Sequence, residues 1–280
     1  VALPFVGSAI YLLVGTTRLG ALRRKRHREI LRLIPTGYAS HCPDDDHVHQ
    51  CVVDNYQPIA SIAEAVGAST VIAGNDAKLF GDSKEMIASL AKDIGEATSH
   101  CHVLSYIMLD DWAGRKIASA LTEATTRGIK CRLLIDAVGS KVFLCSKTCA
   151  DLRESGVHVT AALPANLLRA MLVRLDLRNH RKIAVIDNTI GYIGSQNIAE
   201  PAFAPKAKYA PWIDASVRLV GPAVRELQAV FIQDWFMDSD ENLSALLKEQ
   251  IDAEKDGFPV QFMATGPNSN NSALSNLLET

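Results

Sequence analysis

The 280-residue sequence lacks an excess of charge of either sign, since 29 Lys and Arg stand against 31 Asp and Glu. A chain without excess positive charge has no basic field to hold nucleic acid, so we expect no nucleic-acid partner and only local anion binding. The sequence also lacks the composition of a disordered tail, a collagen or a disulfide scaffold. Its 48% apolar residues suffice for one large or two modest globular domains.

Paired cysteine spacings typical of metal sites are absent as well. Cys101 and Cys131 lie in apolar runs, where cysteine packs as a small hydrophobic residue, and we expect reduced, structural thiols in a cytosol-facing domain. His100 and His102 flank Cys101 but open a predicted strand, so we expect them to pack in the core rather than bind a metal.

Charged side chains are missing from residues 1–17, and a basic cluster at 23–28 follows them. A helix of this length spans roughly 26 Å, slightly less than the roughly 30 Å hydrocarbon core. We therefore predict a transmembrane segment, truncated at its start, over 1–20 and a basic juxtamembrane linker over 21–52. The positive flank places the remainder on the cytoplasmic side of the inner membrane. A cleaved signal peptide would carry its charge before the apolar run, and a buried soluble helix is the other alternative.

Strand patterns at 71–80, 103–109, 130–136 and 157–162 alternate with helix patterns at 84–97, 115–126 and 147–155, which indicates βαβ units around a mostly parallel sheet. Three short β-branched runs follow at 181–186, 190–193 and 215–220, and then a helix at 222–236. We predict an α/β domain over 53–257, with a mixed, mostly parallel sheet flanked by helices. Its last helix should bury one stripe of side chains, namely Val224, Leu227, Phe231 and Trp235. Residues 258–280 read as the start of a second, truncated domain.

The segment 179–197, NHRKIAVIDNTIGYIGSQN, carries the most chemical information. Side chains two apart on a strand share a face, so an imidazole and an ammonium project together, which favours an anion between them. A phosphate fits, because the lysine balances its charge, the asparagine amide donates to it and a glycine turn admits backbone. The imidazole is then a nucleophile toward phosphorus, and a carboxylate could fix its tautomer. The residues are His180, Lys182 and Asp187, spaced H-x-K-x4-D, followed by Gly194, Ser195 and Asn197. We expect His180, Lys182 and Asn197 to converge on one pocket.

These six positions resemble the HKD motif of the phospholipase D superfamily, and nearly the whole chain resembles bacterial-type cardiolipin synthases. Two positions depart from that family, which usually has two glycines at 194–195 and often Arg at 213. Further blocks that carry the resemblance are Ser105 to Ile107, Asp110 and Asp111, 127–136, Gly139 and Ser140, Trp212 to Asp214, 221–235 and 258–279.

The resemblance implies that two phosphatidylglycerol molecules react to give cardiolipin and glycerol through a phosphohistidine, with no metal or cofactor. It assigns His180 as one of two active-site histidines, Lys182 and Asn197 as phosphate ligands, Asp187 as the orienting acid and Ser195 as a supporting donor to the phosphate. The family needs two such motifs. No other histidine of this chain has a lysine two residues later. The expected partners are phosphatidylglycerol, membrane lipid and a second motif-bearing half, either a missing C-terminal domain or another chain.

Three functions remain open at this point. The first is a cardiolipin synthase half that is inactive alone. The second is a single-motif phosphodiesterase or nuclease that works as a homodimer, against which the neutral charge and the tail at 258–280 both argue. The third is a silent membrane-anchored binding protein that keeps the pocket.

Overall fold

The computed structural model describes residues 21–34, 52, 54–67, 70–163, 178–203, 210–249, 251 and 257–264. The predicted membrane segment at 1–20 lies outside these ranges. Among the described helices, none combines the length and apolarity needed to cross a membrane.

One eight-stranded sheet organises the described residues. Its strands are β1 Val71–Phe80, β2 His100–Ser105, β3 Lys130–Asp136, β4 His158–Ala162, β5 Ile183–Ile186, β6 Ile190–Gly194, β7 Ser216–Val220 and β8 Phe258–Gln261. Their order across the sheet is β4-β3-β2-β5-β6-β7-β1-β8. Sequence patterns predicted β1 and β3 with these bounds and most other strands within a few residues.

Strand directions in this sheet are mixed. Only β2 with β3 and β3 with β4 are parallel, whereas the five other neighbouring pairs are antiparallel. The mixed sheet was predicted correctly, but the expectation of a mostly parallel one is wrong. Parallel neighbours need a long crossover, and helices provide it between β2 and β3 and between β3 and β4, whereas a short turn at 187–189 joins the antiparallel pair β5 and β6.

Helices cover both faces of the sheet. They are α1 Ala21–Leu33, α2 Gln57–Gly67, α3 Ser83–Glu96, α4 Trp112–Thr126, α5 Lys141–Leu144, α6 Lys147–Glu154 and α7 Val224–Ser239, with 3-10 turns at Asp54–Tyr56, Pro201–Phe203 and Ser244–Lys248. Two separate apolar clusters result, one beneath α3, α4 and α6 and one beneath α1 and α7. The four side chains predicted to face inward from α7 are all buried, but so are most of the other side chains of this helix. The expectation of a single buried stripe is wrong, because α1 and the turn at Ser244–Lys248 pack on α7 in addition to the sheet.

Helix α1 occupies part of the predicted linker at 21–52 and packs against the domain. Ile30 is fully buried in the cluster beneath α7. Arg23 pairs with Asp238 at 2.8 Å, and Arg26 pairs with Asp240 at 3.1 Å. Acidic side chains at a helix C-terminus oppose the helix dipole, so these two arginines offset an unfavourable charge arrangement. Residues 21–33 are therefore part of the folded domain rather than a tether.

Strand β8 also differs from the prediction. It pairs antiparallel with β1, with Val71 opposite Gln261 and Asn75 opposite Phe258. Residues 258–261 thus form the edge of the first sheet, and the sheet does not end at the predicted boundary of residue 258. Residues 265–280 lie outside the described part of the chain.

The two histidines of β2 and the cysteines at 101 and 131 are packing residues, as expected. His102 is fully buried, contacts Gln228 and Arg132, and stacks on Phe231 with ring centroids 4.6 Å apart. Burial lowers the pKa of His102 well below its usual value, so the ring is neutral. Cys101 and Cys131 lie opposite each other on β2 and β3, and both are buried.

Candidate active site

His180 and Lys182 lie just before β5, at the end of the sheet where that strand begins. Both side chains face the ring of Tyr106. Arg181 points to the opposite face, where it binds Asp234 of α7 at 2.7 Å. A salt bridge on one face therefore anchors the segment that presents His180 and Lys182 on the other.

The ring of Tyr106, just after β2, contacts both motif side chains. The imidazole of His180 stacks on it with ring centroids 3.9 Å apart and an interplanar angle of 18°. The ammonium of Lys182 lies 5.4 Å from the centre of the same ring and donates to the carbonyl oxygen of His180. A cation over an aromatic face is held by the ring quadrupole.

The environment lowers the pKa of both groups. For His180, partial burial and the positive charges of Lys182 and Arg178 lower the pKa, and Asp136 opposes them. For Lys182, burial lowers the pKa and Asp214 opposes it. An imidazole whose pKa lies below 6.5 is neutral at pH 7 and has a nitrogen lone pair available for attack.

Asn197, three residues after β6, contacts the residue next to Tyr106. Its Oδ1 accepts a hydrogen bond from the backbone N–H of Ile107, the residue after Tyr106, at 3.0 Å. The neighbouring Ile198 continues this link by donating from its backbone to the carbonyl of Ile107 at 3.1 Å. With Oδ1 engaged, the amide keeps its Nδ2 group as donor. The structure thus brings His180, Lys182 and Asn197 to one short segment, residues 106–107.

Ser195 lies beside this region, and its hydroxyl group is engaged within the protein. Its Oγ donates to Asp214 at 2.6 Å and accepts from the backbone N–H of Ala215 at 3.0 Å. Close packing requires Gly194, because a Cβ there would lie 2.3 Å from the carbonyl oxygen of Ala215. Glycine is required because the chain before β7 passes too close for any side chain.

Asp187 lies at the other end of β5 and does not meet His180. Seven residues of extended chain separate them by roughly 23 Å. The carboxylate accepts hydrogen bonds from the backbone N–H groups of Thr98, Ser99 and His100, at 2.7 to 2.8 Å. Burial alone would raise the pKa of Asp187, but these hydrogen bonds outweigh it and lower the pKa. The expectation that Asp187 orients the imidazole is wrong, because this carboxylate instead ties the β5–β6 turn to the start of β2.

Three further side chains around the motif carry no signal in the motif pattern. Arg178 and Asp136 form a buried, two-pronged ion pair at 2.8 and 2.9 Å, two residues before His180. Tyr106 is the third. A charge-balance argument could have indicated Asp136 at the end of β3, but nothing in the spacing connects Tyr106 with His180, 74 positions later.

Comparisons with known proteins give a family match and several relatives. The family "Cardiolipin synthase, PLD-like domain" matches residues 90–235, slightly more than half of the chain. Cardiolipin synthase A of Edwardsiella ictaluri is 33% identical over 95% of this chain and 55% of that protein. The corresponding protein of Erwinia tasmaniensis is 32% identical with the same coverage of both chains. NucT from Helicobacter pylori is a solved structure that shares 17% identity and a TM-score of 0.43, covering 59% of this chain and 98% of that one.

The chain belongs to the cardiolipin synthase, PLD-like domain family. It spans about half the length of the curated relatives it matches, 55% in both proteins described above.

Proposed function

We propose that the chain supplies one half of a phosphatidyltransferase site that converts two phosphatidylglycerol molecules into cardiolipin and glycerol. The observation that carries this proposal is the joint placement of His180, Lys182 and Asn197 against residues 106–107. Family membership and relatives described as cardiolipin synthase A support the substrate class.

In the proposed first step, a ring nitrogen of neutral His180 attacks the phosphorus of one phosphatidylglycerol. A P–N bond forms as the P–O bond to the headgroup glycerol breaks, and an acid on a second motif protonates the departing alkoxide. In the second step, a hydroxyl of another phosphatidylglycerol attacks phosphorus and the P–N bond breaks. The hydroxyl proton returns to the group that acted as acid, so His180 and its partner are both restored.

The remaining motif residues stabilise charge on the phosphoryl oxygens. Lys182 supplies a cation that no carboxylate within the described residues pairs directly, and Asn197 supplies the Nδ2 donor. Ser195 acts through Asp214 rather than by donating to the phosphate, because its proton is already used there. Asp187 has no place in these steps and holds the scaffold.

A second motif is needed because His180 cannot attack and donate a proton in the same step. General-acid help is typically worth about 10² to 10⁴ in rate. We therefore propose that a second motif-bearing half completes the site, and that this chain alone binds phosphate but turns over little. We also propose that the site works at the inner membrane surface, facing the cytoplasm, since its substrate is a membrane lipid.

Complementation tests this proposal most directly. The purified chain in detergent is assayed for cardiolipin formation from phosphatidylglycerol, alone and with a second motif-bearing half, with His180→Ala as control and the oligomeric state measured in parallel. We expect turnover only in the mixture. Strong turnover by a proven monomer would contradict the two-half mechanism, turnover by a homodimer would favour a self-sufficient single-motif enzyme, and none in either sample would favour a silent binding protein.

A further inference from the structure

The ring of Tyr106 is the one surface that His180 and Lys182 share within the described part of the chain. The His180 imidazole lies nearly parallel to it at a centroid distance of 3.9 Å, and the Lys182 ammonium lies over it at 5.4 Å. His180 is otherwise exposed at the edge of the sheet. Without this contact its ring would rotate freely, because an exposed imidazole has a broad χ2 distribution.

Tyr106 is itself held from behind by the loop after β3. A Cβ on Gly139 would lie 2.5 Å from the carbonyl oxygen of Tyr106 and 3.2 Å from its ring, so the loop backbone touches the tyrosine directly. Ser140 donates from its Oγ to the carbonyl oxygen of Tyr106 at 3.1 Å and accepts from the backbone N–H of Met108 at 2.9 Å. The tyrosine therefore cannot move without displacing this loop.

The same loop is tied to the His180 segment by a charged pair. Asp136 accepts from the backbone N–H groups of Val138 and Gly139 at 2.9 and 2.8 Å. Its carboxylate also binds the guanidinium of Arg178, two residues before His180. A closed path of contacts thus runs from Arg178 through Asp136 and the loop to Tyr106, and returns through the stacked rings to His180.

We propose that Tyr106 is a positioning residue that fixes the plane of the His180 imidazole and holds Lys182 beside it through the aromatic face. The stack covers one face of the imidazole and leaves the ring nitrogens at its edge. An aromatic face also keeps the ammonium in place without a carboxylate, which would compete with the phosphate for it. The role in catalysis rests on the proposed phosphoryl transfer, whereas the positioning itself is a property of the chain.

Paired variants separate the ring from its hydroxyl group. Tyr106→Phe keeps the aromatic face, and Tyr106→Leu removes it. The signature is the NMR resonance of the His180 ring protons, which the facing aromatic ring shifts upfield and which His180→Ala identifies by its loss. We expect the shift to persist in Tyr106→Phe and to disappear in Tyr106→Leu. In the complemented enzyme, kcat should fall about 10²-fold in Tyr106→Leu, the size expected for a misplacement of about 1 Å, and stay within a few-fold in Tyr106→Phe.

Gly139→Ala provides a second test that leaves Tyr106 in the chain, and it decides the outcome if Tyr106→Leu does not fold. The added methyl group must displace the tyrosine, so we expect loss of the upfield shift and a fall in kcat in a protein with an unchanged circular dichroism spectrum. An upfield shift retained in both Tyr106→Leu and Gly139→Ala would overturn the proposal. Equal losses of kcat in Tyr106→Phe and Tyr106→Leu would also overturn it. If the shifts behave as expected but no variant, nor the parent, makes cardiolipin, the proposed function fails and the positioning stands.

Discussion

The two ends of β5 carry the two parts of one sequence motif, and they differ in how their side chains are used. At one end, His180 is exposed and its contact is an aromatic face. At the other end, the Asp187 carboxylate accepts four hydrogen bonds, from three backbone N–H groups and the hydroxyl of Thr98. An active-site side chain keeps donors and lone pairs free for the substrate. A structural side chain uses its donors and acceptors within the fold.

The spacing between these ends has a structural origin. The four residues between Lys182 and Asp187 are β5 itself, and all four are buried. The motif therefore spans one buried strand, with reactive side chains before it and a structural carboxylate after it. Four predictions separate these roles, in order of decreasing effect.

Replacing His180 should have the largest effect. In the complemented enzyme, His180→Gln should lower cardiolipin formation by more than about 10³-fold, because the nucleophile is lost while shape is kept. The unfolding midpoint should change little, since this side chain is exposed. Activity within tenfold of the parent would remove His180 from the reaction.

Lys182→Met should come next. The methionine keeps the length and the contact with Tyr106 but lacks the charge that balances a phosphoryl oxygen. Loss of one such electrostatic contact typically costs about 10² to 10³ in rate. We expect a fall of this size in kcat/KM, and a fall of less than tenfold would contradict a role for the Lys182 charge in the reaction.

Asp187→Ala should affect stability and spare the chemistry. Removing the charged acceptor of three backbone N–H groups at the start of β2 should lower the free energy of unfolding by about 1 to 3 kcal/mol. The folded pKa of Asp187 lies below its ordinary 3.8, so its contribution is present above pH 3.8 and is lost as the pH falls through the lower folded value. Urea unfolding at pH 7 and at pH 3 measures this, with Asp151→Ala on the exposed face of α6 as control. A loss of rate per folded molecule would return Asp187 to the active site.

The smallest effect should be on the pH dependence of the rate at which phosphatidylglycerol labelled at phosphorus transfers its label to His180. Partial burial, Lys182 and Arg178 lower the pKa of His180 below 6.5, and Asp136 only partly offsets them. The nucleophilic, neutral form therefore persists below pH 6.5, and the acid limb of the labelling rate should have its midpoint below that value. In Lys182→Met the midpoint should move upward, because a neighbouring cation is gone. A parent midpoint above 6.5 would contradict the assignment.

Sequence reasoning identified His180 and Lys182 before β5 and missed the structural role of Asp187 after it. The expectation that His180 and Lys182 share one side comes from the local alternation of extended chain, and in the structure both side chains contact the ring of Tyr106. The role of Asp187 needed the length of β5 and the position of Thr98, which are tertiary facts. Tyr106 was missed for the same reason, since stacking between residues 74 positions apart leaves no local pattern.

The fold shows the same division. The bounds of β1 and β3 follow from local apolar patterns, and so does the burial of Val224, Leu227, Phe231 and Trp235 in α7. The strand directions and the docking of α1 do not. The basic cluster at 23–28 predicts the flank of a membrane segment, and the structure adds that Arg23 and Arg26 bind Asp238 and Asp240 at the end of α7. A charge pattern alone does not show which partner it meets.

Direct mapping of the covalent intermediate tests the central claim. This claim is that His180, before β5, is the nucleophile and that Asp187, after β5, is not part of the chemistry. The complemented enzyme is mixed with phosphatidylglycerol labelled at phosphorus, quenched at alkaline pH and digested. We predict acid-labile label on the peptide that contains His180, absent in His180→Gln and retained in Asp187→Asn among folded molecules. Label that survives in His180→Gln, or that disappears from folded Asp187→Asn, would contradict it.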